Sequence, residues 1–327
     1  MSLGGAIKVV LIAGGVGGAK MAEGLYNLKN VELSIIGNIA DDEAFHGLWV
    51  SPDIDTLTYT LAGEIDRQQG WGVADEGHRA LETLSKLGKD TWMSLGDRDF
   101  GLHIYRTNRR HNGDRPTDIA ADIAKSFGLT CNLILPTDDT VQTKVRTASG
   151  WLSFQEYFVK EHCAPDVLKL HYDGIEQSTP TEEALSAIAG ADLIVVAPSN
   201  PLVSILPIMM VPGILEAIKA AKAPKIGVSP IINGGVVKGP ADKMLASMGH
   251  DATALGVARI YAEFLDCFVL DHLDKTHASA INALGLSTHF DTILMKTLED
   301  KKRLAAELLA VSGVLDTLGA ESVEQRA

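Results

Sequence analysis

One stretch constrains the fold before any other: AGGVGGAK (13–20), set between the apolar run 7–12 and a helix-forming segment from about residue 19. It holds four glycines in eight residues. Glycine takes positive φ freely, and without a Cβ it lets a backbone pass close to a bulky anion, while amides at a following helix N-terminus point toward negative charge. Gly14, Gly15, Gly17 and Gly18, with Lys20, therefore read as a phosphate seat. The spacing matches neither familiar fingerprint. Lys20 stands where G-x-G-x-x-G would place its third glycine, and Met21 replaces the hydroxyl residue that follows a P-loop lysine. A tight strand-to-helix turn that serves packing alone is the competing interpretation.

The pattern around this turn predicts a strand over 7–13, a helix over about 19–28 and a buried strand over 31–37, a βαβ opening. An acid-rich loop follows, NIADD (38–42) and SPDIDT (51–56), with Asp41, Asp42, Asp53 and Asp55. If Pro52 holds it extended, Asp53 and Asp55 face opposite ways, so that one binds metal while the other meets substrate or caps a helix from Thr56. Helical patterns over 56–62, 75–87, 102–109 and 117–127 make 56–128 a mostly helical insert. Strand signals return at 131–135, 193–197, 226–229 and 267–270, alternating with helices, and a closing amphipathic helix covers 298–309. Thr179, Pro180 and Glu182 suit an N-cap, N1 and N3 arrangement.

This alternation predicts a single α/β domain over 1–327, a doubly wound, mainly parallel, Rossmann-like three-layer sheet. Ligands of such sheets sit at the carboxyl ends of the strands, and the loops 14–20, 38–55, 136–139, 198–201 and 230–239 each follow an apolar run, so one rim should gather them. A nicotinamide site would need an acidic residue ending the second strand, where Gly37 and Asn38 stand. Phosphoryl transfer suits the inventory better: amides and Lys20 for phosphates, paired carboxylates for a divalent cation, and Arg98 for developing charge. Arg98, between Asp97 and Asp99, also suits a local surface ion pair, and His103, at helical spacing from Asp99, could be a ligand but reads more readily as an ordinary helix-surface histidine. Trp71, Trp92, Phe154, Tyr157 and Phe158 could wall a planar ring or simply fill core.

A net charge of −13 argues against a phosphate-tracking nucleic-acid groove. No apolar run approaches the roughly 20 residues that span a bilayer, so a cytoplasmic protein without a membrane partner is expected. Cys131, Cys163 and Cys267 lack CxxC spacing, which disfavours disulfides and thiolate zinc. The opening MSLGG (1–5) has the look of an expression leader.

Taken in order, GGVGGAK (14–20), NIADD, SPDIDT, GWG (70–72), LGDRD (95–99), FQEYFV (154–159), APSNP (197–201) and SPII with GPADK (229–243) resemble the 2-phospho-L-lactate transferase family of coenzyme F420 biosynthesis. The match extends over nearly the whole chain. It departs from the family pattern at Val16, where Thr is more usual, and at NIADD, where an NTxDD type of run is more common. The resemblance implies a magnesium-dependent transfer of a phospho-three-carbon-acid group from a guanylyl-diphosphate donor to the ribityl hydroxyl of the deazaflavin Fo, with release of GMP. By the same resemblance the amides of residues 14–18 with Lys20 hold the diphosphate and Asp55 and Arg98 contact Fo. Asp41, Asp42 and Asp53 are the carboxylates nearest the metal, Ser199 and Asn200 could read the nucleotide, and a homodimer is expected, with the apolar stretch 202–211 either interface or core. The alternative is a nucleotide-sugar-binding regulator like the gluconeogenesis factor, similar over the glycine loop and first acidic loop; SPDIDT and LGDRD favour the transferase.

Overall fold

The computed structural model describes residues 6–236 and 239–315, so the MSLGG segment lies outside the described residues. Seven strands form one sheet: β1 (Ile7–Ala13), β2 (Val31–Gly37), β3 (Asn132–Ile134), β4 (Leu193–Val196), β5 (Lys225–Val228), β6 (Cys267–Asp271) and β7 (Ser287–Asp291). Every pairing is parallel, in the order β7-β6-β5-β4-β1-β2-β3. Parallel strands must be covered on both faces, which is why the central ones read as unbroken apolar runs. Alternate residues serve the two faces: Val10, Ile12, Ile194 and Val196 enter one core, while Val9, Leu11, Leu193 and Val195 enter the other. This is the doubly wound arrangement expected. The last strand, Ser287–Asp291, follows the helical turns after β6 and is not among the strand signals read from the sequence.

The strand order reverses between β1 and β4. The chain winds outward through β2 and β3, then returns to place β4 on the other side of β1, with Ile12 opposite Val196. The loops leaving these two strands therefore diverge and open a crevice at their carboxyl ends.

Several helices begin earlier than the sequence pattern suggests. Helix α1 runs over Gly15–Tyr26, so Gly17 and Gly18 belong to its first turn rather than to a loop, and of the four glycines only Gly15 has positive φ, at 61°. Gly17 is needed for a different close approach: a Cβ there would overlap the Pro198 carbonyl oxygen of the loop after β4. Helix α2 is Pro52–Ala62, with Ser51 at its N-cap and Pro52 opening the first turn. Asp53 and Asp55 are thus helical, not in an extended loop, and Asp55 does not cap a helix starting at Thr56. Further along, α3 covers Arg79–Lys86, α4 covers Asp97–His111 and α5 covers Pro116–Ser126. LGDRD is consequently the start of α4. The acidic loop before α2 also contains an unforeseen hairpin, Glu43–Phe45 with Leu48–Val50.

Beyond β3, three antiparallel strands (Gln142–Thr147, Gly150–Ser153 and Lys169–Asp173) form a small sheet, and FQEYFV passes into a helical turn over Glu156–Lys160. Thr181, not Thr179, caps the helix Glu182–Ala189, accepting from the Ala184 amide. In the apolar stretch 202–211, Leu202, Val203, Ile205, Ile208 and Met209 are buried in the core. No single described helix is long and apolar enough to cross a membrane. The last helix, Leu298–Val311, packs on α1 where Gly24 admits the Lys301 backbone.

Candidate active site

At the carboxyl ends of the strands lies a cavity of about 340 Å³. Four of the five anticipated loops line it, those after β1, β2, β4 and β5, together with Met93, Ser94 and Leu95 ahead of α4. The exception is 136–139. There Asp138 pairs with Arg115 and Asp139 accepts from Thr179, away from the cavity.

On one side stand Gly14, Gly15, Gly17 and Lys20. Gly18 does not line the cavity; a Cβ there would press on Ala13 and the Ser199 hydroxyl. Lys20 forms no ion pair among the described residues, and burial together with the neighbouring Lys301 lowers its pKa. A half-buried cation beside helix-N-terminal amides is chemistry suited to an anion. Ser199 and Asn200 line the cavity too, but their side chains are engaged. The Ser199 hydroxyl donates to the Gly14 carbonyl at 2.7 Å, closing the seam between β1 and β4, and Asn200 Oδ1 accepts from the Leu202 amide at 3.0 Å.

Two carboxylates face the same space. Asn38, at the end of β2, donates through Nδ2 to Asp53 Oδ2 at 2.9 Å and to the Val203 carbonyl at 3.2 Å. Burial pushes Asp53 up to about 6, against the pull of Asn38 and the Gly15 amide. Asp41 is raised too, by burial first and then by the charges of Asp53 and Asp42, and its Oδ1 has no hydrogen-bond partner among the described residues. Asp42 does not line the cavity. Its Oδ2 accepts from Ser51 Oγ at 2.6 Å and Trp49 Nε1 at 3.1 Å, and burial lifts its pKa to about 7. No group of three or more metal-ligating side chains occurs among the described residues. Asp41 and Asp53 alone make a pair whose partnerless oxygen and mutual repulsion suit a magnesium ion, which commonly takes one or two carboxylates and completes its shell with water and substrate phosphate.

A second polar cluster, carried by α2 and α4, also borders the cavity. Asp55 and Arg106 are each 5% exposed and form a two-pronged ion pair: Arg106 Nη1 reaches Asp55 Oδ2 at 3.2 Å while Nη2 holds Oδ1. Burial raises the Asp55 pKa and the guanidinium opposes that, while Arg106 is itself raised by its carboxylate partner. His103, 1% exposed, and Asp99 line the cavity beside them, with Tyr59 donating to Asp99 at 2.9 Å. Sequence reasoning passed over Arg106 and placed His103 on the surface. The available signal was spacing, since Asp99, His103 and Arg106 fall at i, i+4 and i+7 on one helix face. Arg98 is not among the described residues that line the cavity and pairs with Glu64, the side chains being 54% and 36% exposed. Trp71, Phe154 and Phe158 contribute aromatic walls, the two phenylalanines stacked at 5.6 Å; Tyr157 is core and Trp92 packs on Phe45.

A glycine-rich helix start with a half-buried lysine, a carboxylate pair and aromatic walls thus meet at the switch point of a doubly wound, Rossmann-like sheet, where proteins of this class bind their ligands. The profile of the 2-phospho-L-lactate transferase CofD family matches residues 9–303. The chain belongs to that family, and so is a transferase of coenzyme F420 biosynthesis. It is 36% identical to the 2-phospho-L-lactate transferase of Methanosarcina acetivorans over 95% of this chain and 100% of that one. It is also 38% identical to the phosphoenolpyruvate transferase of Kitasatospora aureofaciens, over 94% and 98%. A crystal structure of a UPF0052 family member from Bacillus halodurans superposes with a TM-score of 0.63 at 16% identity, covering 93% of this chain and 99% of that one, and shares the fold.

Proposed function

We propose that the protein transfers a phospho-three-carbon-acid group, of phospholactate or phosphoenolpyruvate type, from a guanylyl-diphosphate donor to the ribityl hydroxyl of Fo. One observation carries the reading: a single cavity is lined by the glycine turn with Lys20, by the carboxylates of Asp41 and Asp53, by the buried, arginine-braced Asp55 and by the aromatic rings of Trp71, Phe154 and Phe158. The helix-α1 amides and Lys20 hold the diphosphate. Asp41 and Asp53 would hold Mg2+, which would supply charge neutralisation on the phosphoryl oxygens. Asp55, fixed by Arg106, orients the acceptor hydroxyl. That oxygen bonds to the distal phosphorus, the bond from this phosphorus to the bridging oxygen breaks, GMP departs with the bridging oxygen, and the hydroxyl proton passes to solvent. Such transfer asks for positioning and charge more than for a strong base.

Purified protein incubated with Fo, Mg2+ and each of the lactyl, enolpyruvyl and glyceryl donors is expected to yield the phosphodiester and GMP in equal amounts with at least one donor, read by mass spectrometry. No product with any of the three, from protein verified as folded, refutes the proposal.

A further inference from the structure

His103 lies within the cavity's lining with an unusual constraint. Its Nδ1 is 3.2 Å from Arg106 Nη1. A guanidinium only donates and stays charged, so Nδ1 must present its lone pair, and a neutral imidazole so held carries its hydrogen on Nε2. The other groups facing the ring do not reverse this. Asp55 Oδ2 is 3.7 Å from Nδ1, beyond hydrogen-bond reach, and is already taken by Arg106. Asp99 accepts from Tyr59 and from the Gly96 amide. Burial and the Arg106 charge keep the ring neutral, depressing its pKa to about 4. His103 Nε2 is then a buried donor with no partner among the described residues. Buried donors in native proteins are rarely left so, because an unmade hydrogen bond costs more than a made one gains.

We infer that Arg106 locks His103 as the Nε2–H tautomer and that this hydrogen is donated to an uncharged oxygen of the acceptor substrate, a ring carbonyl or ribityl hydroxyl of Fo. The inference rests on the acceptor reading of the cavity given above. An anionic phosphate oxygen is the poorer partner, because the Asp55 and Asp99 carboxylates stand in the same cluster, whereas Lys20 and the α1 amides offer anions a seat elsewhere in the cavity.

Two substitutions separate the donor from the scaffold. His103→Asn puts an amide oxygen near the place of Nδ1, keeping the Arg106 contact and losing the donor; His103→Gln carries an amide NH2 to the reach of Nε2 and loses the Arg106 contact. Calorimetry with Fo should give His103→Gln within about threefold of wild type and His103→Asn about tenfold or more weaker, with GDP affinity unchanged in both. A merely structural histidine reverses that order, and unchanged Fo affinity in His103→Asn overturns the inference. Wild type that binds no Fo overturns the acceptor reading and the inference with it. Should either variant fail to fold, ring-nitrogen NMR of wild type labelled with 15N-histidine, assigned through the side-chain carbons, decides: an Nε2–H neutral ring near pH 7 is expected, and an Nδ1–H or doubly protonated ring refutes it.

Discussion

Replacing Asp55 by Asn leaves size and shape nearly unchanged and removes one charge from a pair that water does not reach. Asp55 and Arg106 are each 5% exposed and joined by both prongs of the guanidinium. At about 3 Å and an effective dielectric of about 20 their attraction is about 5 kcal/mol, set against the desolvation of both ions. Removing one partner strands the other, which typically costs about 3–5 kcal/mol. Arg106 would still donate to the Trp49 carbonyl at 3.5 Å and to His103, and the new amide oxygen takes one prong, so about 3 kcal/mol is expected for Asp55→Asn. An exposed helix-capping aspartate would cost within about 1 kcal/mol. Urea unfolding followed by tryptophan fluorescence and far-UV circular dichroism measures the loss. Adding Arg106→Gln should then cost less than it does in wild type, with a coupling of about 2 kcal/mol or more in the double-mutant cycle. A single-variant loss below about 1 kcal/mol, or additive effects, would refute the buried-pair account.

Gly17→Ala should lower stability by about 2 kcal/mol or more with no nucleotide present, because the methyl group meets the Pro198 backbone; an unchanged melting temperature sinks this. Asp53 has a folded pKa of about 6, above the unfolded value near 4, so the native state binds the extra proton and stability is lost as pH rises through that window. Asp53→Asn is spared that loss and should gain on the metal-free wild type, by on the order of 2 kcal/mol, between about pH 4 and 7; parallel stability profiles across this range contradict the reasoning. Arg98→Lys alters a half-exposed pair with Glu64 outside the cavity and should keep turnover within a few fold, whereas a hundredfold fall would show that Arg98 acts on substrate.

The sheet was legible because parallel strands advertise themselves: 9–13 is an unbroken apolar run and 31–37 is apolar apart from Glu32 and Ser34, for the reason that helices cover both faces. Helix starts were not. Gly14, Ser51 and Gly96 precede first turns built of Gly, Pro and Asp, residues that local propensity assigns to loops, and only packing against neighbouring loops makes those turns helical. The same limit hid half the site. Periodicity finds buried faces through apolar residues, so the face bearing Asp99, His103 and Arg106 looked solvent-exposed although a carboxylate from another helix neutralises it in the interior. Asn38 was noticed as the wrong residue for a ribose and proves to be the hydrogen-bond donor that holds Asp53. The glycine loop, the acids and APSNP could be found because each ends a readable strand; how Ser199 and Asn200 are occupied could not.

The contact between the first and last helices bears on the order in which the protein matures on the ribosome. Glu23 of α1 is 5% exposed and is held by Lys301, whose side chain is almost as buried, and by the more exposed Arg67. The loops of the site are complete by Met295, yet until the final helix emerges α1 lacks both Lys301 and the apolar cover of Leu304 and Leu308. A nascent chain thus carries all the described cavity-lining residues before it can hold the glycine turn and α1 steady. Proteolysis of stalled chains of increasing length should show α1 becoming protected only after residues 298–311 have left the exit tunnel, and protection of shorter chains would contradict this.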